Sequence, residues 1–234
     1  MDFSTEAEGA LVPSQREVQH IDLSDAHWLL MVEKEATFRS LAAGKAWDHP
    51  IIGKGVIVTA KGYPDIATRS FLRLLSTAAC ATGNPPPLYA LVDYDPDGIA
   101  ILSTYKYGSI ALAHENASLI APTMQWIGVQ SSDLLPHNAE AASNENSNKS
   151  QQLRPLTARD RRLARKLLEK EIYAEDGPEL EWRREVQVML ILGVKAEIQI
   201  MSGGGRDAAL KEWLERKITA TSLTEFWRLA SERA

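Results

Sequence analysis

Apolar and polar positions fall into alternating blocks along the first half of the chain. Apolar-rich runs predict strands over residues 28–33, 55–59, 88–93 and 124–129, the first and third ending in an acid. Runs this short without an in–out alternation suit strands buried on both faces. The segments between them carry helical spacing. A helix is predicted over 34–43 with Phe38 and Leu41 inward, and another over 65–81 with Ile66, Phe71, Leu72 and Leu75 on one face. A third runs from about Gly98 to Tyr107. Strands separated by single helices imply right-handed crossovers and a parallel sheet covered on both sides. The expected class is therefore α/β, a four-stranded parallel sheet flanked by helices.

The second half reads differently. Residues 137–153 are rich in Asn, Ser, Ala and Glu, with little to bury, and are expected to be a disordered loop. Beyond it, helical spacing covers about 157–170, 179–193, 195–201 and 206–218. Thr157, with Asp160 three residues on, is a helix-start signal. Residues 1–25 are polar and aperiodic, a lead-in or linker. The expected organisation is thus a lead-in at 1–25, an α/β core at 26–136, a loop at 137–153 and a helical extension at 154–234 packed on that core. No internal repeat is found.

Composition narrows the picture only a little. At 44% apolar and 24% charged residues the chain is ordinary for a soluble domain. The lone Cys80 cannot form an internal disulfide, and with no signal-peptide pattern this points to a reducing, intracellular compartment. No apolar run is long enough to span a bilayer. The net charge of −5 means that nucleic acid would be held by a local basic surface, not by the global field.

The chemistry concentrates where two apolar runs end. Leu88–Val92 stops in Asp93-Tyr-Asp95-Pro-Asp97-Gly98, and Trp28–Val32 stops in Glu33. In an open parallel sheet such ends face the ligand crevice. Carboxylates crowded there repel unless a cation lies between them, and an all-oxygen donor set suits Mg²⁺, with Mn²⁺ the alternative. Glu33, Asp93 and Asp95 are the candidate ligands; Asp97 and Glu35 are further candidates. Glu33 is preferred over Glu35 because it ends the apolar run directly, leaving Glu35 in the first helical turn.

Other readings of the acidic stretch make different demands. A calcium loop of the EF-hand type needs Glu at its twelfth position, where Thr104 stands. A haloacid-dehalogenase nucleophile pair belongs on a first strand and has Thr or Val where Asp97 lies. A turn whose Asp side chains merely cap backbone amides is the plain structural alternative. Ser202-Gly-Gly-Gly-Arg206 lacks the Lys-Ser/Thr of a P-loop, and the His spacing gives no zinc site.

Longer words carry a resemblance. Val32-Glu-Lys-Glu-Ala36, Gly62-Tyr-Pro-Asp-Ile-Ala-Thr-Arg69, Asp93-Tyr-Asp-Pro-Asp-Gly98, Tyr105-Lys-Tyr-Gly-Ser109, Trp126-Ile-Gly-Val129, Ser132-Asp-Leu134, Leu156-Thr-Ala-Arg-Asp160 and Lys195-Ala-Glu-Ile-Gln199 occur in order. Together they resemble the Toprim portion of the meiotic double-strand-break transesterases, eukaryotic relatives of the topoisomerase VI A protein, over roughly residues 20–205. The resemblance implies a Toprim fold, Mg²⁺ on Glu33, Asp93 and Asp95, and cleavage of double-stranded DNA by a tyrosine that stays linked to the 5′ end. It also implies action in the nucleus as a homodimer, with a topoisomerase VI B-like partner and accessory break-forming proteins. The nucleophilic tyrosine of that family belongs to an N-terminal winged-helix domain. None of the tyrosines here matches its context, so no catalytic nucleophile is assigned in this chain, and the chain is read as a portion that binds but does not cleave. A self-contained Toprim nuclease and a noncatalytic assembly module are the alternatives.

For DNA contact the candidates are Lys61, Tyr63 and Arg69, near the carboxyl end of the second strand. The stretch Arg154–Lys170 is the most basic, with Arg159, Arg161, Arg162, Arg165 and Lys166 opposite Leu163, Leu167 and Leu168. It reads first as an amphipathic surface helix. Tyr105 and Tyr107 read as core or dimer contacts.

Overall fold

The computed structural model describes residues 9–80, 85–109, 116–134, 153–202 and 207–232. Its centre is a five-stranded sheet in the order Asp48–His49 (β2), Gly53–Thr59 (β3), Trp28–Val32 (β1), Leu88–Leu91 (β4) and Gln125–Trp126 (β5). Strand β1 (Trp28–Val32) is buried along its whole length, as its unbroken apolar run requires. It pairs in parallel with β3 (Gly53–Thr59) on one side and β4 (Leu88–Leu91) on the other. Close approach of β3 to β1 depends on Gly55, where a Cβ would sit 2.3 Å from the Trp28 indole. Strand β5 (Gln125–Trp126) extends the parallel set beyond β4.

The helices follow the sequence periods with two adjustments. Helix α1 is Glu35–Ala43 and α2 is Ile66–Cys80. The buried stripe of α2 runs through Thr68, Arg69, Leu72, Leu75, Ser76 and Ala79, while Ile66 is exposed. The inward face is therefore rotated from the one expected, and it takes in an arginine. Helix α3 (Pro96–Tyr107) begins two residues before Gly98, because Asp95 caps it by accepting the Gly98 N–H at 2.7 Å and Pro96 fits the first turn.

The sheet carries one element more than expected. Strand β2 (Asp48–His49) pairs antiparallel with β3 at the edge, too short to leave a periodic signal. Strand β5 covers only two residues of the apolar run 124–129. The remainder is buried without strand geometry, although Ile127 still donates its N–H to the Ala90 carbonyl. Short helices α4 (Asn116–Leu119) and α5 (Ser131–Leu134) flank β5. The loop expected at 137–153 lies outside the described residues except for Leu153, and the early residues 9–25 contain neither helix nor strand.

Past the loop, α6 (Ala158–Leu168) packs on α3, and α7 (Leu180–Leu192) packs on α6. The long α8 (Asp207–Glu232) rests on α1 and on a 3₁₀ turn, Ile198–Ser202, through Leu210, Trp213, Leu214 and Ile218. The helix expected over 195–201 is instead a strand followed by that 3₁₀ turn. Gly193, at φ 68°, ends α7 in the left-handed region. Strand β7 (Val194–Lys195) then pairs with β6 (Arg154–Pro155). Ala196 next exchanges both backbone hydrogen bonds with Tyr94, at 2.9 and 3.0 Å. This bridge carries a distant segment of the chain to the end of β4, beside the acids.

Candidate metal centre and nucleic-acid interface

Strands β1 and β4 are in register, with Val32 opposite Leu91, so Glu33 and Asp93 leave the sheet at nearly the same level. The Glu33 N–H donates to the Leu91 carbonyl at 3.0 Å, and Glu33 Oε2 accepts the Asp93 N–H at 2.9 Å. Both side chains are buried. Asp95 projects beside them at the N-terminus of α3. Gly98 allows this packing: a Cβ there would lie 2.5 Å from the Asp93 carbonyl oxygen. The glycine that sequence reading associates with a calcium loop serves here to bring a helix end against a strand end.

Crowding sets the electrostatics. Burial, then the Asp93 and Asp95 charges, push the Glu33 carboxyl up to about 8. Burial, with Asp93 and Asp97, raises Asp95 to about 6 against the Gly98 hydrogen bond. Such a cluster gains by acquiring a cation. One is already there: Lys34 Nζ lies 2.6 Å from Asp93 Oδ2 and 2.9 Å from Glu197 Oε2. Burial works to lower the pKa of this ammonium, but the two carboxylates reverse the effect and hold it above the ordinary lysine value. Glu197 is in turn paired with Arg154 at 2.7 Å. The other Asp93 oxygen accepts the Ile198 N–H at 2.9 Å.

Glu33, Lys34, Asp93, Asp95, Arg154, Lys195 and Glu197 line a cavity of about 170 Å³. All the acidic donors are hard oxygens, and the lysine ammonium stands where positive charge is wanted, so the residues fit a small divalent cation. Among the described residues no three His, Cys, Asp or Glu side chains are drawn close enough to grip one in this conformation. Asp93 is engaged on both oxygens, by Lys34 and by the Ile198 N–H. Asp95 is at once a helix cap and a wall of the cavity.

The two further acids lie elsewhere. Glu35 faces Arg39 at 2.7 Å and Lys61 at 3.3 Å, outside the cavity. Asp97 accepts the Tyr63 hydroxyl at 2.5 Å and is gripped by Arg159 through both oxygens, at 2.6 and 3.0 Å. Burial works against its charge, yet the Arg159 and Tyr63 hydrogen bonds hold its carboxyl below the usual range. Asp97 is thus a clamp between the turn after β3 and α6.

Of the DNA candidates, Lys61 and Tyr63 sit on that exposed turn, Lys61 in the left-handed region at φ 60°. Arg69 does not join them. It is 2% exposed on the inner face of α2, near Asp65 and Tyr105, and a guanidinium there cannot reach a phosphate. Tyr63 instead borders a groove with Arg159, Arg162, Leu163 and Lys166 of α6. Helix α6 starts from a reciprocal cap, Thr157 Oγ1 accepting the Asp160 N–H and Asp160 accepting the Thr157 N–H. Asp160 also pairs with Lys195 at 2.8 Å. Tyr105 is buried, and Tyr107 is half-buried and hydrogen-bonds Glu179.

Residues 28–218 match the family model TOP6A-Spo11 Toprim, which describes the Toprim domain shared by Spo11 and the topoisomerase 6 A proteins. The chain belongs to that family. The meiotic recombination protein SPO11-1 of Oryza sativa subsp. indica is 35% identical over 196 residues, which is 84% of this chain and 46% of that protein. SPO11-1 of Arabidopsis thaliana is 37% identical over 186 residues, 80% of this chain and 46% of the relative. The A3 component of DNA topoisomerase 6 from Oryza sativa subsp. indica is 36% identical over 211 residues, 89% of this chain and 42% of that protein. The chain therefore spans less than half the length of these relatives. The sheet and helices described above are those of the Toprim domain, and the matched span reaches from Trp28 through the bridge at Ala196 into α8.

Sequence reading missed Lys34, Arg154, Glu197 and Lys195. A signal existed for three of them, because Lys34 lies in the family word Val32-Glu-Lys-Glu-Ala36, and Lys195 and Glu197 lie in Lys195-Ala-Glu-Ile-Gln199. Only the tertiary bridge shows that the second word closes the acidic cavity.

Proposed function

We propose that this chain is the Mg²⁺-binding, DNA-holding Toprim portion of a topoisomerase VI A-like protein that makes meiotic DNA double-strand breaks. The observation that carries this reading is the placement of Glu33, Asp93 and Asp95 together at the carboxyl ends of two adjacent parallel strands, around a site that already holds a positive charge. Family membership supports it, as do the relatives named for meiotic recombination and for topoisomerase 6.

Glu33, Asp93 and Asp95 would hold Mg²⁺ or Mn²⁺, which when bound neutralises the scissile phosphate and the departing oxygen. The chain's own residues then divide the remaining work. Asp97 holds Tyr63 and Arg159 in one hydrogen-bonded unit, so an aromatic edge and a guanidinium face the same groove. Arg162 and Lys166 extend that groove with exposed positive charge along α6, which suits phosphate contacts. The nucleophile is a tyrosine outside this chain: its oxygen attacks phosphorus, the 3′ oxygen leaves, and the 5′ phosphate remains esterified to the tyrosine. A homodimer on double-stranded DNA, a topoisomerase VI B-like partner, accessory break-forming proteins and action in the nucleus complete the reading. No helix among the described residues is long and apolar enough to cross a membrane.

The test is incubation of purified chain with supercoiled DNA and Mg²⁺, alongside calorimetric titration with Mg²⁺ or Mn²⁺. Metal binding that is lost in Asp95→Asn, without DNA cutting, is the expected result. Cutting that disappears in Glu33→Gln or Asp93→Asn would show a self-contained nuclease. Binding unaffected by Asp95→Asn would leave the acids a structural role only.

A further inference from the structure

Asp93 is the most central of the three acids, yet the oxygen not bonded to the Ile198 amide is held by Lys34. The lysine follows Glu33 directly and precedes α1, so its backbone is fixed by the end of β1, and its side chain lines the cavity. Its ammonium touches two carboxylates, Asp93 on the site itself and Glu197 on the segment docked by the Tyr94–Ala196 bridge. Glu197 is anchored from the far side by Arg154 and stays at the rim.

From this geometry we infer that Lys34 is a resident counterion which a divalent cation must displace from Asp93, and that Glu197 is the berth that keeps the displaced ammonium at the rim. This inference rests on the metal reading above and sets the affinity of that same site. With Lys34 seated, Asp93 is neutralised without metal, and the acids remain together in the absence of Mg²⁺. With Lys34 shifted onto Glu197, Asp93 Oδ2 is freed toward Asp95 and Glu33, and the positive charge leaves by only a few ångströms. Lys34 is a positioning residue, because it acts through Asp93 and not on substrate.

Mn²⁺ titration of the whole chain by calorimetry, without DNA, tests this. Lys34→Met is expected to bind Mn²⁺ about tenfold more tightly or better, since a competing unit charge next to the ion is removed. Lys34→Arg, which keeps the charge, is expected to stay near the parent affinity. Glu197→Gln is expected to bind more weakly, because the ammonium then has no second carboxylate to move to. A purely structural lysine would shift Lys34→Met and Glu197→Gln in the same, weakening direction. If Lys34→Met binds no more tightly than the parent while Asp95→Asn still abolishes binding, the counterion role is overturned and the metal site stands. If neither the parent nor Lys34→Met binds Mn²⁺, both fall.

Discussion

Glu33 shows how far one side chain can be read and what its surroundings add. Its place at the end of an apolar run was visible in the sequence, as were Asp93 and Asp95. The network around them was not, because Lys34 looks like any surface lysine until Glu197 and Asp93 are brought to it. The raised pKa of Glu33 has a consequence for stability. The carboxyl titrates near 4.5 when unfolded and about 8 in the fold. Between those values the folded chain holds more protons than the unfolded one, so stability is full below pH 4.5 and declines as pH rises through 8. Asp95 adds a smaller decline between 3.8 and about 6. Glu33→Gln is therefore expected to raise the metal-free melting temperature at pH 8 by roughly 3 °C or more, with little change near pH 4.5. Thermal scans at the two pH values check this; equal shifts at both would contradict the assigned cause. Arg69 teaches the converse. Its helix was foreseen, but a small rotation of the buried face turned a DNA candidate into an internal charge.

At the scale of the element, most of the first half was legible because β1 and β4 are buried on both faces and the helices α1 and α2 carry a helical period. What escaped is short: β2, the curtailed β5, and the strand and 3₁₀ turn where a helix was expected. These depend on pairing partners far along the chain, which local periodicity does not encode. Helix α6 was foreseen from Thr157 and Asp160, and the structure gives the two unequal importance. Thr157 is exposed and acts only as a cap, so Thr157→Ala is expected to cost about 1 kcal/mol. Asp160 is buried, caps the same helix and balances Lys195 of β7. Asp160→Ala should cost about 2–4 kcal/mol, because it leaves a half-buried ammonium without its partner. Urea unfolding of both variants measures the difference, and similar losses would mean that the Lys195 pair contributes little.

For the whole molecule, the net charge of −5 conceals a division of labour. One surface gathers buried acids around a cavity, and the neighbouring α6 groove presents Arg159, Arg162 and Lys166. Net composition could not reveal this, since it averages over both. If the groove holds phosphates, duplex binding followed by fluorescence anisotropy should weaken with salt. Arg162→Ala and Lys166→Ala should each lower the slope of log K against log salt by about one. Arg165→Ala, outside the groove, should leave it unchanged. Identical slopes for all three would place the DNA elsewhere.

The Tyr94–Ala196 bridge also dictates an order of events. A chain emerging from the ribosome carries Glu33, Asp93 and Asp95 long before it carries Lys195, Glu197 and the Ile198 amide. During that interval the three acids share a sheet end without the wall that encloses them, and the cavity does not yet exist. The cavity is therefore completed only when the Lys195–Ile198 segment docks, and protection of the Ile198 amide from hydrogen exchange should report that moment.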